Sequence, residues 1–386
     1  MADAQPQKDD GSADVRPTAM VAGTTILPSV AAGESSGERR RRRLAMLRRR
    51  SSASVSTTVF FAIAALAVLR FYQPPERMLP APFERIARVA APLAEPSANA
   101  FGRSGEVKVR FALPNEAVEY PLEVAGDPSS LSYTWVRVGA SAASTTPLRP
   151  LAGAAVVAPE EPGFYQLAVA RRTAGDSVPA VRSLVKGMTL AVLVPFQEKS
   201  GNAINGYRIG TYIAERTKRA HDHPEGFVEV AANDVDLPLS KHLRLGDFVT
   251  HDRQEVWPRY AALNPRLLDK LELVIARIGS WRGDTAGVSV GVDVHSGYRS
   301  PLYNRTVKRS ARDSRHQYGD AADVTIDANG DGRYTLSDTK LVVKAVEEVE
   351  QEHPDLVGGV GLYTSRRYRT PYVHIDARGT RARWRG

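Results

Sequence analysis

From Ser51 to Leu69 the chain runs through nineteen uncharged, mostly apolar residues, with Arg50 before them and Arg70 after. A helix of that length is just long enough to cross about 30 Å of hydrocarbon. Five arginines at 39–43 and three at 48–50 precede it, and a basic flank places that end of a span in the cytoplasm. The chain is therefore expected to carry a disordered basic cytoplasmic segment over 1–50 and a single transmembrane anchor over 51–72. Everything after Tyr72 would then lie outside the cytoplasm, periplasmic or extracellular. Two other readings compete for the same residues. Ala65-Leu-Ala67 resembles a cleavage site, although fifty preceding residues are far too many for a signal peptide. A buried core helix is the second.

The formal charge of +9 is nearly all supplied by those eight arginines. The remainder is almost balanced, so the charge gives no argument for nucleic acid as a partner. Cysteine is absent, which excludes a thiol nucleophile and any disulfide. Residues 73–104 carry Pro74, Pro75, Pro80, Pro82, Pro92 and Pro96 and read as a semi-rigid linker. Over 105–186 short alternating segments such as Tyr133–Val138 and Phe164–Val169 lie between Pro, Gly and Ser turns. They predict an immunoglobulin-like β-sandwich, with Trp135 in its core and Tyr165 at a tyrosine corner. A spacer or protein-docking role is its default. Residues 187–236 read as a β-rich connecting segment. Beyond them Leu267–Ile278 has helical periodicity with Asn264-Pro265 as cap and first turn, inside a last domain over 237–386.

That domain holds the chemistry. His316 and Asp323 stand seven residues apart, and Val373-His374-Ile375-Asp376 follows some fifty residues later. Imidazole and carboxylate suit a borderline-soft divalent ion, and three protein ligands leave a fourth position open. The spacing alone is also that of a solvated loop. Gly319 and Ala321 are small enough to let backbone approach a metal, however, and Ala322–Ile326 alternates like a buried strand. A carboxylate at the start of such a strand needs a partner charge.

Four ordered motifs carry a resemblance: His295-Ser-Gly-Tyr-Arg299-Ser-Pro301, Ser314-x-His316-x-x-Gly319-x-Ala321-x-Asp323, Gly358–Tyr363, and Val373–Asp376 leading to Arg383-Trp384. Together they resemble the M15-type zinc peptidases, which include D-Ala-D-Ala carboxypeptidases and murein endopeptidases, in the subgroup ending Val-His-x-Asp. The resemblance covers 237–386 and implies an α+β domain with a small antiparallel sheet, of the kind shared with hedgehog domains. It makes His316, Asp323 and His374 zinc ligands, sets Arg299 over the site to hold an oxyanion or substrate carboxylate, and gives Ser314 an orienting role. The surface position beside a Ser-Pro turn is the plain alternative for Arg299.

One departure from the family matters. The Glu or His that some branches place shortly before the last His is replaced here by Pro371 and Tyr372, neither a base at neutral pH. Asp376, on the strand face of His374, is left either as the base or as the partner that fixes a ligand's tautomer.

A second signature lies at 327–338. Asp327, Asn329, Asp331, Thr335 and Asp338 occupy loop positions one, three, five, nine and twelve, Gly332 occupies six, and Arg333 offers its carbonyl at seven. That pattern is an EF-hand calcium loop with Asp for Glu at twelve, leading into a helix over 339–350. A polar Asx/Gly turn is the plain reading. His221, His223, His242 and His251 have no ligand spacing.

The functional expectation is a membrane-anchored zinc peptidase acting on peptidoglycan peptides, as an endopeptidase or carboxypeptidase. The substrate class comes from the resemblance alone. The competing class is a wall-binding or scaffold module that retains zinc without catalysis.

Overall fold

The computed structural model of the chain describes residues 93–97, 101–139, 146–152, 155–171, 181–217, 223–283, 290–364 and 370–386. The segment 1–50, the apolar run 51–72 and most of the linker lie outside the described residues. Among those described, no helix is long and apolar enough to cross a membrane. The architecture is mixed α+β with several small sheets.

Four strands, β1 (Val109–Ala112), β2 (Leu131–Arg137), β3 (Gly163–Arg171) and β4 (Thr189–Val192), form a six-stranded sheet with Arg149–Pro150 and Val181–Leu184. β2 and β3 pair antiparallel from Leu131 opposite Arg171 to Arg137 opposite Tyr165. Trp135 is buried, edge-on to Tyr120 at 5.6 Å and Tyr133 at 6.4 Å, and donates its indole N–H to the Val157 carbonyl at 2.8 Å. Such aromatic pairs add about 0.5–1.5 kcal/mol beyond area burial. The Tyr165 hydroxyl donates to the Glu161 carbonyl at 2.9 Å, the bond that defines a tyrosine corner.

The sandwich expected over 105–186 needs correction on three points. The sheet continues past 186, because β4 pairs parallel with β1 and antiparallel with β3. Among the described residues, the other strands of this part pair as two-stranded ribbons, Ala117–Val118 with Val156–Val157 and Ala94–Pro96 with Leu122–Val124. Pro114, Pro121 and Pro159 beside these segments cannot donate to a ladder, which keeps them short. The last residues of the expected linker are also part of the fold: Phe101 is buried, and the backbone N–H groups of Arg103 and Ser104 each reach the Asp269 carboxylate at 2.9 Å.

The connecting segment likewise overruns its expected end. Val194–Pro195, Gly226–Val230 and Arg259–Ala261 form one small sheet, and the buried Tyr207, Tyr212, Tyr260 and Tyr298 gather beside it. Tyr212 and Tyr298 join hydroxyls at 2.9 Å, and Leu302 N–H donates to the Ile209 carbonyl at 2.8 Å. This segment therefore props the loop 297–302 that carries Arg299.

Helix α1 (Pro265–Arg282) begins where the Asn264 side chain accepts from Arg266 N–H and ends at left-handed Gly283. Helix α2 (Leu336–Glu352) begins where Asp338 accepts from Thr335 N–H at 2.8 Å. Five strands complete the domain: β5 (Val292–Ser296), β6 (Ala321–Ile326), β7 (Gly359–Tyr363), β8 (Tyr372–Asp376) and β9 (Ala382–Arg385), in the order β5-β6-β8-β7-β9. The sheet is antiparallel except at β7 and β9, which pair parallel. The expected antiparallel sheet thus also carries one parallel pair at its edge. Alternation sorts its faces. Ala322, Val324, Ile326, Val373 and Ile375 pack with Leu267, Leu271 and Val274 of α1 and Val342, Val346 and Val349 of α2, and the opposite face is left for the polar residues between them.

Candidate metal centre

One rung crosses all five strands. Ser296, Asp323, His374, Gly361 and Trp384 are successive Cα partners. Pairing Asp323 directly with His374 puts a carboxylate and an imidazole side by side on the face away from the helices. The third member arrives from outside the sheet, on the 3-10 turn Arg315–Tyr318, which closes at Gly319 with φ +72°. Gly319 was expected to let backbone approach a metal. Its actual constraint is different: a Cβ there would collide with the Ala262 backbone.

The three side chains converge. His374 Nδ1 lies 2.9 Å from Asp323 Oδ1, His316 Nε2 lies 3.2 Å from the same oxygen, and the two nitrogens are 3.1 Å apart. All three residues are buried. Among the described residues, this is the one group in which three or more such donors come within 4.8 Å of one another. The far side of each donor is engaged elsewhere. His316 Nδ1 donates to the Gly297 carbonyl at 2.7 Å, and His374 Nε2 donates to Asp376 Oδ2 at 3.2 Å. With those tautomers, three lone pairs face one another in a buried space and repel unless a cation or a proton sits among them. A tetrahedral ion with bonds of about 2.0–2.1 Å needs donor separations of about 3.3 Å, and the observed 2.9–3.2 Å is close to that. The donor set fits zinc.

The electrostatics agree with this geometry. Burial depresses the His316 imidazole more than the neighbouring Asp323 restores it, so its net shift is downward. Burial alone would raise Asp323, but His316, His374 and Arg299 hold it well below the usual carboxylate range. Burial alone would depress His374, yet its bonds to Asp323 and Asp376 leave it raised. A proton and a metal thus compete for that nitrogen.

Arg299 stands beside the group. Its Nε donates to Ser296 Oγ at 2.7 Å and its Nη2 to Asp323 Oδ2, while Nη1 has no partner among the described residues. Ser314 is buried at the head of the His316 turn and makes no capping bond through its hydroxyl. Asp376 is wholly buried, and its carboxylate accepts from Gly359 N–H at 2.7 Å and from Arg378 Nε at 2.9 Å as well as from His374. Burial would raise this carboxyl, but those donors drive it far below its ordinary value. Its backbone carbonyl accepts from the buried Lys270 at 2.7 Å, whose ammonium also meets Glu350 at 2.7 Å. Asp376 thus sits on the side of the His374 ring away from Asp323.

Several neighbours had no signal in spacing. Trp384 lies 5.1 Å from the His374 ring, over Gly361, where a Cβ would strike the indole. Tyr363 and Tyr372 stack at 4.6 Å two rungs along. Only the two-residue period, applied once the pairing is known, would have found them.

The loop 327–338 does not gather its carboxylates into a comparable cage. Asp327 accepts from the N–H groups of Gly330, Asp331 and Gly332, and Asp338 from those of Ala328, Asn329 and Thr335. Asp331 accepts from Arg333 N–H at 2.8 Å and from the Asn329 amide at 3.0 Å. The expected calcium ligands thus accept from the loop's own backbone N–H groups.

No protein-family model matches the chain, and neither does any curated protein. A solved structure that it is similar to is the L-Ala D-Glu endopeptidase ChiX of Serratia marcescens, at 19% identity, over 30% of this chain and 80% of that one, with a TM-score of 0.21. A likeness that slight carries no argument about this chain.

Proposed function

We propose that the chain is a zinc-dependent peptidase that hydrolyses amide bonds in peptidoglycan peptides, as an endopeptidase or carboxypeptidase. The observation that carries the reading is the convergence of His316, Asp323 and His374 with the outer atom of each ring already committed. The substrate class rests on the motif resemblance over 237–386. Zinc at this position supplies Lewis acidity toward water and a scissile carbonyl. The rest is done by the chain. Ser296 and Asp323 hold Arg299 so that its remaining N–H groups can meet an oxygen as charge develops on it. Gly297 and Asp376 keep the two imidazoles in their ligating tautomers. Trp384 packs against the His374 ring.

The same proposal extends to 51–72 as a membrane anchor and to 327–338 as a calcium loop, on the sequence patterns already described. The deciding experiment incubates the full-length protein with cross-linked muropeptides, with and without a chelator. Zinc-dependent release of cleaved peptides is expected. Zinc binding with no cleavage would leave the scaffold reading in its place.

A further inference from the structure

A hydrolase needs a proton acceptor, and the geometry removes the obvious candidate. Asp376 faces the outer edge of His374, with its oxygens occupied by Gly359, Arg378 and that ring. Pro371 and Tyr372 offer no base at neutral pH. The candidate is found instead in an irregularity of β5. Val294 pairs with Val324 and Ser296 with Asp323, so His295 and Ser296 together oppose the single Asp323. A bulge of this kind re-aims a side chain, and bulges concentrate beside active sites.

Here the re-aimed side chain is an imidazole. The His295 ring lies 6.0 Å from that of Tyr372, two residues before His374 on the same strand face, so it stands on the metal side of the sheet. Its Nδ1 lies 3.3 Å from Asp293 Oδ2, and the side chain is 37% exposed. A carboxylate beside one ring nitrogen favours a proton there and leaves the other nitrogen to accept one. We infer that His295, oriented by Asp293, is the general base of the hydrolysis, an inference that rests on the peptidase reading above.

The step balances without a further reactant. Water oxygen forms the new C–O bond as one of its protons passes to His295 Nε2. The imidazolium then returns that proton to the leaving nitrogen as the C–N bond breaks, giving a carboxyl and an amine. Asp293 touches no reacting atom and is a positioning residue. The ionisable groups around this pair are Asp247 and Tyr334 near Asp293, Tyr372 against the His295 ring, and Asp323 with Arg299 across the bulge.

The test compares full-length parent, His295→Gln, His295→Ala and Asp293→Asn on muropeptides. All four should bind one zinc with the same affinity, because neither residue is a ligand. His295→Gln should lower kcat by about 10²–10⁴ and abolish the acid limb of the pH profile, which free imidazole should partly rescue in His295→Ala. Asp293→Asn should lose less, and a further Asp293→Glu variant should restore most of that loss. A readout independent of turnover is the His295 imidazole in a ¹H–¹⁵N spectrum. Adding zinc should move that resonance, as a nearby cation imposes. An unmoved resonance, or a parent and His295→Gln cleaving equally fast, overturns the base assignment alone. A parent that binds zinc and cleaves nothing overturns the peptidase reading and this inference with it.

Discussion

Replacing Asp376 by Asn separates a metal-orienting role from a catalytic one. The carboxylate accepts from Gly359 N–H at 2.7 Å on Oδ1, from His374 at 3.2 Å on Oδ2, and from Arg378 on both oxygens. An amide of the same shape has only one accepting oxygen. If its NH₂ faces Gly359, two donors are buried against each other, at a cost of about 1–3 kcal/mol. If its NH₂ faces His374, the ring must accept on Nε2, which moves the proton to Nδ1, the atom 2.9 Å from Asp323. Either outcome acts on the metal group rather than on a reacting atom. Zinc affinity should fall about 10–100-fold, which is about 1.4–2.7 kcal/mol. Competition against a chromophoric chelator gives that number, and turnover measured at saturating zinc should recover most of the parent rate. Unchanged zinc affinity with turnover down by about 10²–10⁴ even at saturation would refute the reasoning and return the base to Asp376.

Two further expectations concern parts outside the rung. Millimolar calcium should raise the Tm of the full-length protein, because a ligand held only by the folded loop 327–338 stabilises it by mass action; no shift would leave the loop as the self-bonded turn. Full-length protein should sediment with membranes, and deletion of 51–72 should release it to the supernatant, whereas equal partitioning of both would remove the anchor.

Local patterns in the sequence were reliable where a short period decides the outcome. Asn264-Pro265 marked the start of α1, and the alternation from Ala322 to Ile326 marked a buried strand, because caps and periods of 3.6 and 2 act over a few residues. Boundaries failed where partners are distant. The sheet expected to close at 186 took in Thr189–Val192 because its neighbour is Val109–Ala112, some eighty residues earlier. The nominal linker ended early because Asp269 of α1 captures Arg103 and Ser104.

For the site, the sequence by itself determined the donors and their order: His316, Asp323 and His374, with Arg299 upstream and Asp376 two residues on. It also determined that Asp376 shares the His374 face, which left two roles open. The tertiary structure supplies the contacts that bear on them. Which nitrogen of His316 is engaged depends on the Gly297 carbonyl nineteen residues away, and what surrounds Asp376 depends on Gly359 of β7 and Lys270 of α1 as well as the neighbouring Arg378. The bulge that sets His295 and Ser296 against Asp323 is likewise a property of paired strands. Residue type and spacing encode what a side chain can donate or accept. Which partner reaches it is set when strands far apart in sequence come into register, and that pairing leaves no local mark.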